Sequence, residues 1–412
     1  MFNAVEKVLS NGIKLITVKK DTQISSLHLG IKIGSIYENP DEKGISHFIE
    51  HMLFKGTEKR SNEKLNAELE NLGGEYNAYT DYTCTVYSIT NLEEELEKSI
   101  EIISDMILNP TFECGEIERE RKVILSEIKS GNDDIEQLSF RKINEAAFKK
   151  SPLRYDTCGT EDTIKVFTKK KLMEFYRKFY VPNNCFISVV SHYEHDYVLK
   201  LVQKYFSSWE YRKVESRKVV AEKNFPCMKS GYKRDIEQST VMFLFTLYDL
   251  SKKEELALRI LNHKLGESAN SILFRKLREE RGLAYDVYTD LNLTQYVKTL
   301  YIYTAVNEEN IEVTVNTVLK CIEDIKDENI VFDSSSISIM KKALKTAVAF
   351  TLEDSTDIGE YVLSQSIEGN SIFKFVEDIK EIEKVKEDDI YKVARKIFND
   401  PTIYILRESD KE

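Results

Sequence analysis

The chain has 412 residues, 42% hydrophobic, 31% charged and 10% aromatic, which is too long for one compact core and too apolar for a disordered or fibrous protein. Lys+Arg 59 against Asp+Glu 70 leaves a net charge of −11, which argues against general affinity for nucleic-acid phosphates or anionic membranes and favours basic or neutral partners. Six widely spaced cysteines without a C-x-x-C pair spell neither a disulfide framework nor a thiolate metal site, and they are read as reduced and mostly buried.

The opening residues have no long apolar run after a basic region, and no later stretch approaches the roughly 18 apolar residues of a membrane span, so a cytoplasmic protein is expected. A hairpin comes first, turning at Asn11-Gly12, a dipeptide suited to a two-residue loop. Leu27, Leu29, Ile31 and Ile33 alternate with His28, Gly30 and Lys32, the period of a half-buried strand with His28 on its polar side. Helices are expected over 44–55 and 61–72, the latter with Leu65, Leu69 and Leu72 on one stripe. An aromatic strand follows, then helices near 91–108, 115–131 and 168–180 and a strand near 185–190. Beyond a polar, weakly periodic stretch come a strand at 239–247, a helix at 252–265, a strand near 284–291 and long helices after 307.

Two segments echo one another. GGEYNAYTD, from Gly73 to Asp81, returns 209 residues later as GLAYDVYTD from Gly282 to Asp290. Arg177-Lys178-Phe179-Tyr180, a Pro-containing turn and CFISVV return 218 residues later as Arg395-Lys396-Ile397-Phe398, a similar turn and TIYIL. The expected fold is therefore α+β: two homologous domains, each a mainly antiparallel sheet with helices packed on one face. The domains are expected at 1–207 and 232–412, joined by a linker over 208–231.

The chemistry concentrates in His47-Phe48-Ile49-Glu50-His51. On a helix, positions i and i+4 share a face, so both imidazoles can reach one metal ion while Glu50 stands beside it as a carboxylate base. A catalytic zinc takes a third protein ligand, and the helix 115–131 offers Glu120 and Glu127, two turns apart on a stripe with Val123 and Ile124. Glu116 and Glu118 read as solvated charge. His192 and His195 read as surface residues, and His263 stands alone.

GISHFIEHMLFKGT, with Glu127 of ERERKVILSEI 76 residues after His51, resembles the pitrilysin or insulin-degrading-enzyme family of inverted H-x-x-E-H zinc peptidases, of the short type similar to mitochondrial processing peptidase subunits. The resemblance covers most of the chain. It implies His47, His51 and Glu127 as ligands of a Zn2+ ion, Glu50 as general base, and Glu120 as a carboxylate orienting a ligand histidine. It further implies that Asn77, Ala78 and Tyr79 hold an extended substrate against a sheet edge, and that Arg278 and Tyr285 reach the substrate near the scissile bond. Where relatives often carry a Glu, this chain has Thr83-Cys84-Thr85, so that contact does not transfer.

The activity implied is a zinc endopeptidase hydrolysing peptides or unfolded polypeptide segments in a chamber enclosed by a homodimer or a heterodimer with a related subunit. No nucleic acid or membrane partner is expected. Two alternatives compete: a non-catalytic partner subunit, and a peptide-binding module whose metal is structural. No cysteine is expected near the triad, which speaks against the second.

Overall fold

The structure, a computed structural model, describes residues 2–214 and 217–408. Its first sheet contains β1 Asn3–Val8, β2 Lys14–Lys19, β3 Ile24–Ile31, β4 Glu75–Thr80, β5 Thr85–Leu92 and β6 Cys185–Ser191, in the order β1-β2-β6-β3-β5-β4. The second contains β7 Cys227–Lys233, β8 Ser239–Thr246, β9 Ala284–Leu293, β10 Lys298–Val306 and β11 Thr402–Glu408, in the order β7-β11-β8-β10-β9. All neighbours are antiparallel except β2 with β6 and β7 with β11. Without β1, the first order maps onto the second strand for strand, including the one parallel pair. The sequence echoes fall on matching strands: the aromatic segments form the edge strands β4 and β9, and CFISVV and TIYIL form β6 and β11.

The two compact units are interleaved along the chain, which corrects the contiguous domains expected at 1–207 and 232–412. One comprises residues 1–129, 156–219 and 349–374; the other comprises 130–155, 220–348 and 375–412. Each half of the chain thus lends one helix to the unit built mainly by the other.

In the first unit, the helices Ile45–Leu53, Leu96–Leu108 and His195–Phe206 bury one sheet face around Leu27, Leu29, Ile31, Ile103 and Val202. The helix Ser355–Glu368 covers the opposite face, seating Ile358 and Val362 against Ile16, Val18 and Val190, and Leu363 and Ile367 against Val86 and Phe186. Hence every residue of β6 is buried, as in a strand covered on both sides. The second unit repeats this plan. Lys252–Asn262, Ile311–Lys326 and Glu387–Ile397 lie on one face, and Ile135–Ala147 packs on the other through Ser139 to Thr240 at 2.6 Å and the Phe140 ring 5.0 Å from that of Tyr301. The expected layer of helices on one face is present in each unit; the single helix on the other face is an addition.

Two local expectations change. His28 does lie opposite the main helical layer, yet it is only 2% exposed, enclosed beneath the helix Ser355–Glu368. Its Nε2 is 2.9 Å from Ser26 Oγ, and Gly359 approaches so closely that a Cβ there would stand 2.6 Å from Cδ2. Burial holds its pKa down at about 4. The opening hairpin turns through three residues, Ser10 to Gly12: Leu9 N donates to Ile13 O at 2.8 Å, and Gly12 takes φ +98°. Asn11 instead ties the loop to the end of the helix His195–Phe206, donating to Phe206 O at 2.9 Å. Among the described residues no helix is long and apolar enough to cross a membrane.

Candidate metal centre

The helix Ile45–Leu53 starts abruptly. Gly44, at φ +87°, breaks the chain before it, and buried Glu38 accepts hydrogen bonds from Gly44 N at 2.9 Å and Ser46 N at 2.8 Å. A carboxylate at a helix start satisfies amides that have no intrahelical partner and opposes the positive dipole end. This anchoring fixes the face on which His47 and His51 project. Their rings lie edge-on with centroids 4.6 Å apart.

Glu127 enters from the helix Cys114–Asp133. Its Oε2 is 3.9 Å from His47 Nε2 and 3.6 Å from His51 Nε2, and the three donor atoms lie within 4.8 Å of one another. No other such group of histidine, cysteine and carboxylate donors occurs among the described residues. Glu120, two turns earlier, lies behind: its Oε2 is 3.0 Å from His51 Nδ1, and its Oε1 is 2.9 Å from Lys55 Nζ. With Nδ1 engaged, His51 presents Nε2 to the cluster. The structure thereby separates the two glutamates that the helical stripe left equivalent. Glu120 is 7% exposed and holds a histidine; Glu127 is 42% exposed and faces both imidazoles.

Burial lowers the pKa of His47 to about 4, aided by the charge of His51, so its imidazole is neutral at ordinary pH. For His51 burial acts the same way, but the hydrogen bond to Glu120 and the charges of Glu127 and Glu50 outweigh it and raise the pKa. Burial would raise Glu120, yet the bonds from His51 and Lys55 carry it below the usual range. Glu50 is pushed up by burial against the hydrogen bond it accepts from Thr80 Oγ1 at 2.6 Å. Two imidazole nitrogens and a carboxylate converging in this way, one imidazole oriented from behind, fit a zinc ion.

Thr80 was not singled out from sequence, although it directly follows Asn77, Ala78 and Tyr79. Those three lie on the edge strand β4, which pairs only with β5, so one row of main-chain groups is open to an added strand. Tyr79 donates its hydroxyl to Glu360 Oε1 at 3.2 Å. Within the second unit, Arg278 and Tyr285 come together, the guanidinium carbon 5.8 Å from the ring, and Tyr285 is 71% exposed. Arg278 belongs to a π-helical turn, Phe274–Glu279, a wound form frequent at functional sites. His195 bonds Thr17 and Asn3, and His263 lies 3.6 Å from Glu267.

One expectation fails outright. A cysteine does lie near the triad: Cys158 Sγ is 3.9 Å from His47 Nε2, across 111 residues of chain. No local spacing could announce it.

A family model described as insulinase, peptidase family M16, matches residues 14–161, and one described as peptidase M16 inactive domain matches 167–344. An uncharacterised zinc protease of Rickettsia bellii (strain RML369-C) is 31% identical over 403 residues, spanning 95% of this chain and 94% of that protein. The chain belongs to the M16 family. Another relative, the mitochondrial-processing peptidase subunit beta of Caenorhabditis elegans, is 26% identical over 95% of this chain and 86% of that protein. The fold matches the crystal structure of a protease from Helicobacter pylori with a TM-score of 0.92 at 21% identity, covering 99% of this chain and all of the other. The M16 matches also divide the site residues: His47, Glu50, His51, Glu120 and Glu127 fall in the insulinase segment, and Arg278 and Tyr285 in the segment described as inactive.

Proposed function

We propose that this M16 protein is a zinc endopeptidase that hydrolyses peptides or unfolded polypeptide segments, with Glu50 as general base. The observation that carries the reading is the convergence of His47, His51 and Glu127 donor atoms within 4.8 Å, beside the buried carboxylate of Glu50. A zinc ion held by these three supplies a Lewis acid for the scissile carbonyl and acidifies the attacking water.

The chain's own residues do the rest. Glu120, braced by Lys55, fixes the orientation of His51. Glu50 accepts the proton of the attacking water and returns it to the leaving amine; its raised pKa suits both transfers, and Thr80 holds one of its oxygens in place. The open edge of β4 at Asn77, Ala78 and Tyr79 grips an extended substrate through main-chain hydrogen bonds, which favours unfolded segments over folded proteins. Arg278 and Tyr285 are assigned to hold the substrate carbonyl or the developing oxyanion. Two chains, identical or related, pair to enclose the reaction. Mixing Glu50→Gln and Arg278→Ala chains tests this arrangement: recovered activity supports sites shared between chains, and none counts against them.

The direct test is cleavage of a quenched fluorescent peptide with and without a chelator, in the wild type and in Glu50→Gln. The variant should retain zinc and lose about 10²- to 10⁴-fold in turnover. Unchanged hydrolysis at full zinc content removes Glu50 from the mechanism. Cys158 gives weight to a second reading, a peptide-binding or non-catalytic subunit with structural metal, because structural zinc sites commonly include cysteine among four protein ligands. Chelator-insensitive absence of cleavage in zinc-loaded wild type selects that reading.

A further inference from the structure

A cavity of about 620 Å³ opens within the first unit, among the helices Leu96–Leu108, Lys169–Phe179 and His195–Phe206 and the stretch 208–212 that follows the last of them. That volume is in the range of small-molecule sites. The cavity shares no lining residue with the donor cluster of His47, His51 and Glu127. Rings of Tyr176, Tyr205 and Trp209 stand in its wall. The stretch after the helix is tied in place: Asn11 donates to Trp209 O at 3.2 Å, Trp209 N to Phe206 O at 3.1 Å, and Arg212 N to Asn183 Oδ1 at 3.4 Å.

The acidic groups in the wall are mostly engaged elsewhere. Asp105 accepts from Arg60 and Thr57, both at 2.6 Å, and Glu101 accepts from Arg60 at 2.6 Å and from Lys98 at 2.7 Å. Lys204, also in the wall, is paired with Glu97 at 2.7 Å. By contrast, Lys59, Arg177 and Arg212 have no carboxylate within 4.0 Å among the described residues. Glu210 is likewise unpaired, so these four leave a surplus of two positive charges at the cavity, on a chain whose net charge is −11. Arg177 and Arg212 come from different elements, yet both oppose the rise that burial imposes on the Tyr176 phenol, so they converge on one part of the wall.

We infer that this cavity binds a small organic phosphate monoester through Arg177, Arg212 and Lys59. Such a group carries about −1.5 to −2 at pH 7, which the surplus matches, whereas a single carboxylate would leave half of it unmet. Each guanidinium fork can pair with two phosphate oxygens, and Lys59 adds a point charge. The phosphate occupies only part of the volume, and the indole and phenol rings offer an apolar surface to the organic group. The assignment requires no metal and stands apart from the zinc reading.

Trp209 is the one tryptophan of the chain, so its fluorescence reports occupancy directly. The full-length protein titrated with phenyl phosphate at constant ionic strength should show a saturable change with a Kd of about 1 mM or below. Inorganic phosphate, lacking the ring, should bind about tenfold more weakly. Arg177→Gln combined with Arg212→Gln should weaken phenyl phosphate about 100-fold, and both side chains are exposed, so the fold should persist. A double variant that binds as tightly as the wild type overturns the assignment, as does inorganic phosphate binding as tightly as the ester. The wild type alone decides if the variant fails to fold: no saturable response to either probe up to about 10 mM, in fluorescence and in calorimetry, also overturns it.

Discussion

The two units run one strand order with opposite uses of buried charge. Among the described residues, every buried acidic, basic or histidine side chain belongs to the first unit: His28, Glu38, Glu42, Lys43, Glu50, Arg60, Asp105 and Glu120. The second unit buries Ser, Thr and Asn as its polar groups and nothing charged. At the matching place between strands, the first unit has the helix of His47, Glu50 and His51, whereas the second has Lys252–Asn262, which buries Leu256, Ala257, Leu258, Ile260 and Leu261. Removing a charge from water is costly, and the second unit shows that this sheet and helix arrangement forms without doing so. Apart from His28, beneath the helix Ser355–Glu368, the first unit's buried charges gather around one helix: Glu38, Glu42 and Lys43 before its start, Glu50 within it, Glu120 behind His51, and Arg60 with Asp105 just past its end.

Arg60 offers the strongest way to break this contrast. It donates to Asp105 at 2.6 Å, Glu101 at 2.6 Å and Glu68 at 3.0 Å, and Asp105 also accepts from Thr57 at 2.6 Å. Arg60 and Asp105 are 6% and 2% exposed. Arg60→Met leaves Asp105 buried without its cation and should cost about 3–5 kcal/mol in urea denaturation, while Arg60→Met with Asp105→Asn should cost markedly less. A single substitution costing under about 1 kcal/mol would place this network on the dispensable surface.

His28 comes next. Its immediate neighbours on that sheet face are polar, Ser26, Thr90 and Ser188, whereas the second unit puts Met242, Tyr301 and Tyr303 beneath its own crossing helix. The folded pKa, about 4, lies below the ordinary 6.5, so the unfolded chain takes up the proton first. This contribution to stability is complete above pH 6.5 and is lost as pH falls toward 4, a total of about 3 kcal/mol. His28→Asn removes that component, so its loss of stability between neutral and acid pH should be smaller than the wild type's by about that amount. Parallel pH profiles in denaturation would show that His28 titrates freely in the folded protein.

What the sequence made legible follows from how local each feature is. His47, Glu50 and His51 lie within one and a half turns of one helix, so spacing alone places them. The echo of GGEYNAYTD and GLAYDVYTD exposed the repeat because β4 and β9 hold the same edge position in their sheets. Glu120 and Glu127 were not separable, since both share a stripe and only the depth of each side chain tells ligand from brace. The helices Ile135–Ala147 and Ser355–Glu368 defeated the domain boundaries for a similar reason. Periodicity shows that a helix buries a face but carries no address for the sheet it covers. Cys158 and Thr80 reach the site through loop packing and strand pairing, relations that no single-segment pattern encodes.

The smallest effect sharpens the contrast at the metal itself. Among the described residues, the second unit has no ion pair with a buried carboxylate to match Glu120 and Lys55, so their purpose should appear in metal binding rather than in folding. Glu120→Gln should weaken zinc about 10- to 100-fold with little change in the stability of the metal-free chain. The pH profile tests the cause. The raised pKa of His51 makes a proton compete with the metal from above pH 6.5 downward, so wild-type affinity should fall about tenfold per pH unit across that window. His47, neutral until about pH 4, adds no competition there. In Glu120→Gln the bond that raises His51 is weakened, so the fall should begin at lower pH although the plateau affinity is poorer. Chelator-competition titrations across the pH range distinguish this from a merely structural role: if both proteins lose zinc along the same profile, Glu120 does not act through His51.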